Sequence, residues 1–268
     1  MEWTNAVILA LIQGITEFLP ISSSGHLVLA PYLFGWSDQG LMFDIAANTG
    51  TLLAVVFYFR RDIIRLLNGL FRSISQRSLK DNEDARIAWA LGWATVPVGL
   101  AGLTFKTEVA TLARDPLVIG VTSILFGLLL WWSDQRGSRN RIMESITWKD
   151  VLFIGCAQAL ALIPGTSRSG VTMTAALFAG LDREAAARFS FLMAVPVGFI
   201  AAGLDFKDLL EANLTTDGWI GMSIGLVVSA LSAYIVIHWL MSWLRRQTMT
   251  VFVVYRLLLG GLIFALVL

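Results

Sequence analysis

Apolar residues fall in long blocks along the chain. Six of them, 42–59, 86–104, 117–133, 186–204, 218–243 and 250–268, are long enough to cross a bilayer as helices. Residues 60–85 break the pattern with Arg and Ser and read as a polar loop with an amphipathic start. Two further apolar stretches are interrupted, 6–35 at "PISSSGH" and 150–181 at "IPGTSRSG". No half of either is long enough to span. Irregular backbone persists at membrane depth only where protein or a wet cavity satisfies its N–H and C=O groups. Each interrupted stretch is therefore predicted to be a re-entrant helical hairpin.

The two interruptions are alike. Shifted by 145 positions, Gln13 falls on Gln158, Ser22 on Ser167, Ser24 on Ser169, Gly25 on Gly170 and Gly35 on Gly180. Three spanning blocks follow each one. The pattern predicts an all-α polytopic membrane protein, a single membrane domain over 1–268. It would hold two repeats, about 1–135 and about 148–268, each one re-entrant hairpin plus three transmembrane helices.

Charge sets the expected orientation. Arg60, Arg61, Arg65, Arg72, Arg77, Lys80 and Arg86 follow the first span; Arg136, Arg139, Arg141 and Lys149 follow the third; Arg245 and Arg246 follow the fifth. The opposite loops hold Lys106 and Arg114 in one and Lys207 among four acids in the other. With Lys/Arg-rich loops cytoplasmic, the first hairpin enters from outside and the second from inside. The repeats are then of inverted topology, with both termini external. Residues 1–20 carry no Lys or Arg, unlike a signal peptide's basic start, so the first segment is expected to be retained.

Composition agrees with this class. Charged residues are 15% of the 268, against roughly 25% in globular chains. The net charge of +1 says nothing about nucleic acid, but the sequence has no basic patch with interleaved aromatics, and no nucleic-acid partner is expected. Cys156, the only cysteine, forms no internal disulfide.

Inverted repeats bring their broken helices together near the midplane, so the two polar breaks are expected to form one site. Gln13 and Glu17 share a helix face. A carboxylate inside a membrane is costly and usually functional; Glu17 could bind Mg²⁺ or Ca²⁺ or act as an acid or base. Ser22, Ser23 and Ser24 offer hydroxyls for phosphate oxygens or for nucleophilic attack, and His26 an imidazole that titrates near neutrality. In "PGTSRSGVT", 164–172, the turn at Gly165 presents free N–H groups and a helix's positive end. Arg168 adds a planar cationic fork, and Ser167, Ser169 and Thr172 add donors. Asp44 and Asn48 share a face and are weaker candidates for the cavity wall. His238, near Trp239 and Trp243, reads as interfacial. Arg256, beside Tyr255, reads as a headgroup ligand or the partner of a buried acid and is not assigned to the site. An anion cradle joined to a carboxylate, hydroxyls and an imidazole, all within a membrane, points to a lipid-linked phosphate or diphosphate. In-line hydrolysis needs positioning and charge neutralisation, which these groups supply.

"QGITEFLPISSSGH" resembles the (E/Q)xxxE and Ser-Ser-x-Gly-His motif of the undecaprenyl-diphosphate phosphatases, the bacitracin-resistance family, and "PGTSRSGVT" resembles its PGxSRSxxT motif. The likeness runs along essentially the whole chain, including a "YR" in the last span. It implies a membrane hydrolase that converts undecaprenyl diphosphate to the monophosphate, recycling the lipid carrier of cell-wall synthesis in the bacterial plasma (inner) membrane. The site would open to the periplasmic side with a divalent cation assisting. The resemblance places Glu17 and Gln13 at the metal and phosphate end, Ser23 and His26 at the reacting phosphorus, and Arg168 with Ser167 and Ser169 on the diphosphate. Partners are then the polyprenyl diphosphate and membrane lipid, with a homodimer left open. The competing class is a polyprenyl-phosphate flippase, which could use the same midplane anion site without a nucleophile.

Overall fold

The computed structural model describes residues 3–36, 40–80, 82–105, 108–109, 115–212 and 214–267. Lys106 and Arg114, which entered the orientation argument, lie outside them, as do the extreme ends of the chain. The first interrupted stretch folds as α1 (Trp3–Thr16) and α2 (Ser23–Phe34). Next come α3 (Leu41–Tyr58), α4 (Arg60–Gln76), α5 (Glu83–Thr104) and α6 (Pro116–Arg136). The second stretch folds as α7 (Trp148–Ala159), a 3-10 turn (Leu160–Leu162) and α8 (Arg168–Phe178). The chain closes with α9 (Arg183–Glu211), α10 (Thr216–Leu244) and α11 (Thr250–Val267).

Six of these helices, α3, α5, α6, α9, α10 and α11, are long and apolar enough to cross a membrane. They match the six predicted blocks. The boundaries follow from local chemistry. The first N–H groups of a helix lack intrahelical partners, and short polar side chains supply them. Asn82 caps α5, Asp115 caps α6 with Pro116 just inside, Asp182 caps α9 and Thr215 caps α10. Thr147 and Asp150 form a reciprocal capping box on α7.

One expectation is corrected. Residues 60–85 are not a loop with an amphipathic start: α4 occupies 17 of them, with only Phe59 between it and the end of α3. Its apolar residues repeat at helical spacing, a signal that the many arginines between them obscure.

Helix α10 lies along α1 and α3, α7 lies along α5, and α6 pairs with α11, while α8 is enclosed by α6, α7 and α9. Buried polar groups join these pairs. Ser229 Oγ donates to the Ala47 carbonyl at 2.8 Å, and Gln158 Nε2 donates to the Ala94 carbonyl at 3.3 Å. Large apolar side chains stay exposed on every long helix, among them Leu53, Leu100, Val121, Phe199, Leu231 and Leu258. Water does not support so much exposed apolar surface, whereas bilayer hydrocarbon covers it without cost. The chain is thus an all-α, multi-pass membrane protein.

Candidate active site

The two turns that break the hairpins meet. Each ends on a serine with left-handed backbone, Ser22 at φ 74° and Ser167 at φ 69°. That conformation is uncommon outside glycine and is held here by the same short-range bonds in both turns. Ser22 Oγ accepts from the Gly25 N–H at 3.4 Å and pairs with Ser24 Oγ at 3.2 Å. Ser167 Oγ accepts from the Gly170 N–H at 3.2 Å and pairs with Ser169 Oγ at 3.2 Å. The turns also bond each other. Ser169 Oγ donates to the Leu19 carbonyl at 3.0 Å, and Ser24 Oγ accepts from the Gly165 N–H at 3.5 Å. Gly165 has φ 82° and sits so close to the α6 backbone at Ile119 that any side chain would collide with it.

Arg256 of α11 ties the junction together. It is wholly buried, and its guanidinium donates to five backbone carbonyls: Ser123 (3.0 Å), Pro20 (3.3 Å), Thr166 (2.9 Å), Thr122 (3.2 Å) and Gly165 (2.9 Å). A guanidinium has five N–H donors, so all are used. Neither expectation for Arg256 holds: its partners are main-chain carbonyls of both turns and α6, not a headgroup and not an acid. Exposed carbonyls at broken helices must be satisfied in the membrane, and this side chain satisfies those of Pro20, Gly165 and Thr166. Arg256→Lys keeps the charge but concentrates three donors on one nitrogen. A buried hydrogen bond to a charged group contributes about 1.5–3 kcal/mol, and each kcal/mol moves Tm by about 2–4 °C in a chain of this size. The Tm of the purified variant in detergent is expected to fall by roughly 5 °C or more on that scale. An unchanged Tm would mean that the carbonyls do not depend on this side chain.

With the turns locked, Glu17 and Arg168 meet. Arg168 Nη2 donates to Glu17 Oε1 at 2.9 Å, although 151 residues separate them. Glu17 Oε2 accepts from Ser23 Oγ at 2.7 Å and from Gln13 Nε2 at 3.1 Å. Gln13 Nε2 also donates to Asn48 Oδ1 at 2.7 Å, which brings the weaker candidate Asn48 into the network. Arg168 Nη1 reaches the Ser190 carbonyl of α9 at 3.5 Å, and the guanidinium lies 5.9 Å from the centre of the Phe18 ring. Both members of the ion pair keep nearly a fifth of their side-chain surface exposed, 18% for Arg168 and 19% for Glu17. That surface opens into a cavity of about 260 Å³. Glu17, Arg168, Asn48, Thr49, Thr51 and Asp205 supply its polar lining; α3 and α9 supply an apolar wall that includes Leu52, Val55, Val197 and Ala201.

Several expected site residues stand elsewhere. His26 was expected to share a cavity with Arg168, but it is absent from this lining, as are Gln13 and Ser23, which reach the cavity only through their bonds to Glu17. Its Nδ1 lies 2.7 Å from the Ser22 carbonyl and its Nε2 lies 2.6 Å from the Tyr255 hydroxyl, with the two rings stacked 5.5 Å apart. A carbonyl only accepts, so Nδ1 carries a proton and donates to Ser22. Ser22, Ser169 and Thr172 were expected to hold phosphate oxygens, yet they are buried and engage protein groups. Thr172 Oγ1 bonds the Arg168 carbonyl at 2.8 Å and Ser190 Oγ at 2.6 Å. Ser167 caps α8. Sequence reasoning missed Tyr255 and Ser190 as partners of the site. The aromatic beside a mid-span arginine was a visible signal for the first, and nothing local marked the second.

Fold and site together define a polytopic membrane protein in which the turns of two interrupted helices build one arginine–carboxylate–hydroxyl centre at the head of an apolar-walled cavity. The chain belongs to the family described as bacitracin resistance protein BacA, which it matches over residues 6–262. It is 60% identical over 267 residues to the Undecaprenyl-diphosphatase of Magnetococcus marinus, covering 99% of each chain. It is 51% identical over 269 residues to the Undecaprenyl-diphosphatase 2 of Stutzerimonas stutzeri, covering 99% of this chain and 98% of the relative. It is also 50% identical over 268 residues to the Undecaprenyl-diphosphatase of Saccharophagus degradans, covering 100% and 99%.

Proposed function

We propose that this protein hydrolyses undecaprenyl diphosphate to undecaprenyl phosphate and inorganic phosphate, returning the lipid carrier to cell-wall synthesis and conferring bacitracin resistance. The observation that carries the reading is the shared carboxylate. Glu17 holds the Arg168 guanidinium on one oxygen and the Ser23 hydroxyl, at 2.7 Å, on the other. A hydroxyl hydrogen-bonded to a carboxylate is a nucleophile with its base in place. Glu17 takes the Ser23 proton as Oγ attacks the terminal phosphorus. The bond to the bridging oxygen breaks, and the lipid monophosphate departs with that oxygen. The departing lipid phosphate takes that proton from Glu17. Water then attacks the phosphoserine phosphorus and gives a proton to Glu17; the bond from phosphorus to Ser23 Oγ breaks, inorganic phosphate leaves, and Glu17 returns the proton to Ser23. Arg168 turns its planar fork to the phosphoryl oxygens and neutralises charge as it develops. His26 holds the Ser22 carbonyl, the residue before Ser23, and in this reading it positions the nucleophile rather than exchanging protons with phosphate.

A divalent cation fits the donor set. Gln13 Oε1 is buried beside Glu17 and has no partner among the described residues. With Glu17 and Asn48 Oδ1 it offers the oxygen ligands that Mg²⁺ or Ca²⁺ takes. Among the described residues, no three His, Cys, Asp or Glu side chains gather as a metal group. One carboxylate would therefore hold the ion, with carboxamide oxygens and substrate phosphates completing its shell. Its chemistry when bound is to neutralise diphosphate charge.

The reciprocal pairing of α1 with α10 and of α7 with α5 supports two inverted repeats within one membrane domain. We place the protein in the bacterial plasma (inner) membrane with the site open to the external side. From Glu17 and Arg168 the cavity runs toward the first turns of α3 and, through Ala201 and Asp205, toward the C-terminal part of α9. Those ends lie opposite the arginine-rich connections.

The test is release of inorganic phosphate from a C55 or shorter prenyl diphosphate by purified protein, with and without chelator. Release that chelator suppresses and Mg²⁺ or Ca²⁺ restores is the expected result. No release in the presence of metal would sink the phosphatase reading in favour of a flippase; full release in chelator would remove the cation alone.

A further inference from the structure

The amphipathic helix α4 takes no part in the site above. Its 17 residues divide into three faces. Leu66, Gly69 and Ser73 form a buried face against α5. Gly69 lies so close to Asp84 and Ala85 that a side chain would collide, the Asn82 side chain donates to the Gly69 carbonyl at 3.1 Å, and Trp89 Nε1 donates to Ser73 Oγ at 3.1 Å. This packing, with the Arg188–Asp62 ion pair at 2.5 Å, fixes how α4 is rotated.

The second face is apolar and uncovered. Ile64, Leu67, Phe71 and Ile74 follow one another at helical spacing and are 44–65% exposed. The third face carries Arg61, Arg65, Asn68 and Arg72, all exposed. Arg65 is paired with Asp84 at 2.9 Å. Arg61, Arg72 and the C-cap Arg77 make no ion pair among the described residues.

The depth of the helix is set by its start. Arg60 follows the end of the α3 span by two residues, donates to the Phe57 carbonyl at 2.9 Å, and places its guanidinium 4.7 Å from the centre of the Phe57 ring. Phe57 is itself 60% exposed on the lipid-covered surface of α3. The apolar stripe of α4 therefore continues from the edge of the hydrocarbon, with unpaired arginines along its flank.

A helix with a strong apolar face, basic residues on its polar face and its start at a membrane boundary lies in the interface, apolar side down. We propose that α4 is an interfacial docking surface for the cytoplasmic leaflet, with Ile64, Leu67, Phe71 and Ile74 seated at the acyl boundary and Arg61, Arg72 and Arg77 collecting anionic glycerophospholipid headgroups. Charge complementarity selects that occupant: cations near an anionic leaflet surface attract its headgroups, and long side chains reach up to them.

The experiment uses the full-length protein on a Cys156→Ala background, reconstituted in vesicles of phosphatidylglycerol and phosphatidylcholine. Nitroxide labels are placed singly at Ile64→Cys, Phe71→Cys, Arg61→Cys and Arg72→Cys, and their collision rates with oxygen and with a water-soluble nickel chelate are compared. The oxygen-to-nickel ratio is expected to be about fivefold or more higher at 64 and 71 than at 61 and 72, as an interfacial helix requires. Equal ratios on the two faces would overturn the seating. Labels at 64 and 71 shielded from both reagents and broadened by a neighbouring label would instead identify a second copy of the chain on this face, and would also overturn it. The headgroup half is read from spin-labelled lipids. The protein's preference for phosphatidylglycerol over phosphatidylcholine should fall by about twofold or more in the Arg61→Gln/Arg72→Gln/Arg77→Gln variant. An unchanged preference would remove the arginines from the proposal.

Discussion

Arg168→Ala is expected to lower kcat/KM for a prenyl diphosphate by about 10³-fold or more, the scale on which a cation at a transferring phosphoryl group acts. That factor corresponds to about 4 kcal/mol of transition-state stabilisation. The reason is positional. Arg168 is held by Glu17 at 2.9 Å and by the Ser190 carbonyl at 3.5 Å, and its free edge faces the cavity. Removing it takes away the principal cation and also leaves Glu17 without its ion-pair partner. Arg168→Lys tests geometry apart from charge. A lysine brings a point charge but not the fork that can hold Glu17 and phosphoryl oxygens together, so most of the loss should remain. Steady-state kinetics on purified variants checks both; near-normal kcat/KM for Arg168→Lys would show that only net charge matters.

Ser23→Ala is expected to abolish turnover to a similar extent, about 10³-fold or more in kcat, because nucleophile loss in covalent hydrolysis falls at or beyond that scale. Glu17→Gln should match it, since the amide cannot take the proton. The discriminating comparison is His26→Ala. Its ring bonds Ser22 and Tyr255, whereas Ser23 bonds Glu17 directly, so its loss should cost less, roughly tenfold, below the usual range for losing an acid–base group. Tyr255→Phe, which removes only the hydroxyl bonded to Nε2, should behave like a weaker form of it. If His26→Ala is as inactive as Ser23→Ala while its Tm is unchanged, the imidazole acts in the chemical step and the serine–glutamate assignment falls. Quenched-flow capture of phosphoserine at residue 23 would establish the nucleophile directly.

Much of this architecture is legible in the sequence because membrane solvation is severe. An apolar block long enough to span has few alternatives, and a proline, glycine and serine cluster inside one must become a turn. Sequence reasoning accordingly located all six long helices and both breaks. It also paired the breaks by the repeated Ser-x-Ser-Gly, and the structure gives Ser22 and Ser167 the same left-handed backbone and the same bonds to Gly25 and Gly170. Helix α4 was missed because its arginines suppress mean hydropathy, although its apolar residues keep helical spacing.

The candidate site also carries marks in the sequence. Glu17, Ser23 and Arg168 stand out because charge and hydroxyl groups at membrane depth are expensive without partners. Which hydroxyls bond the ion pair was not readable. Ser22, Ser169 and Thr172 carry the same hydroxyl chemistry as Ser23, but their direction depends on which carbonyl of the opposite turn or helix lies within 3 Å or so, a distance set by packing. His26 is the lone imidazole of its motif, and only the fold shows Tyr255, 229 residues away, bonded to its Nε2. Arg256 is the clearest division between the two levels. By itself the sequence determined that a cation was buried in the last span and needed partners. Only the tertiary structure decided that those partners are five carbonyls from three segments. Backbone acceptors occur at every residue and leave no mark in sequence, so the one set that converges on a guanidinium exists only once the chain is folded around it.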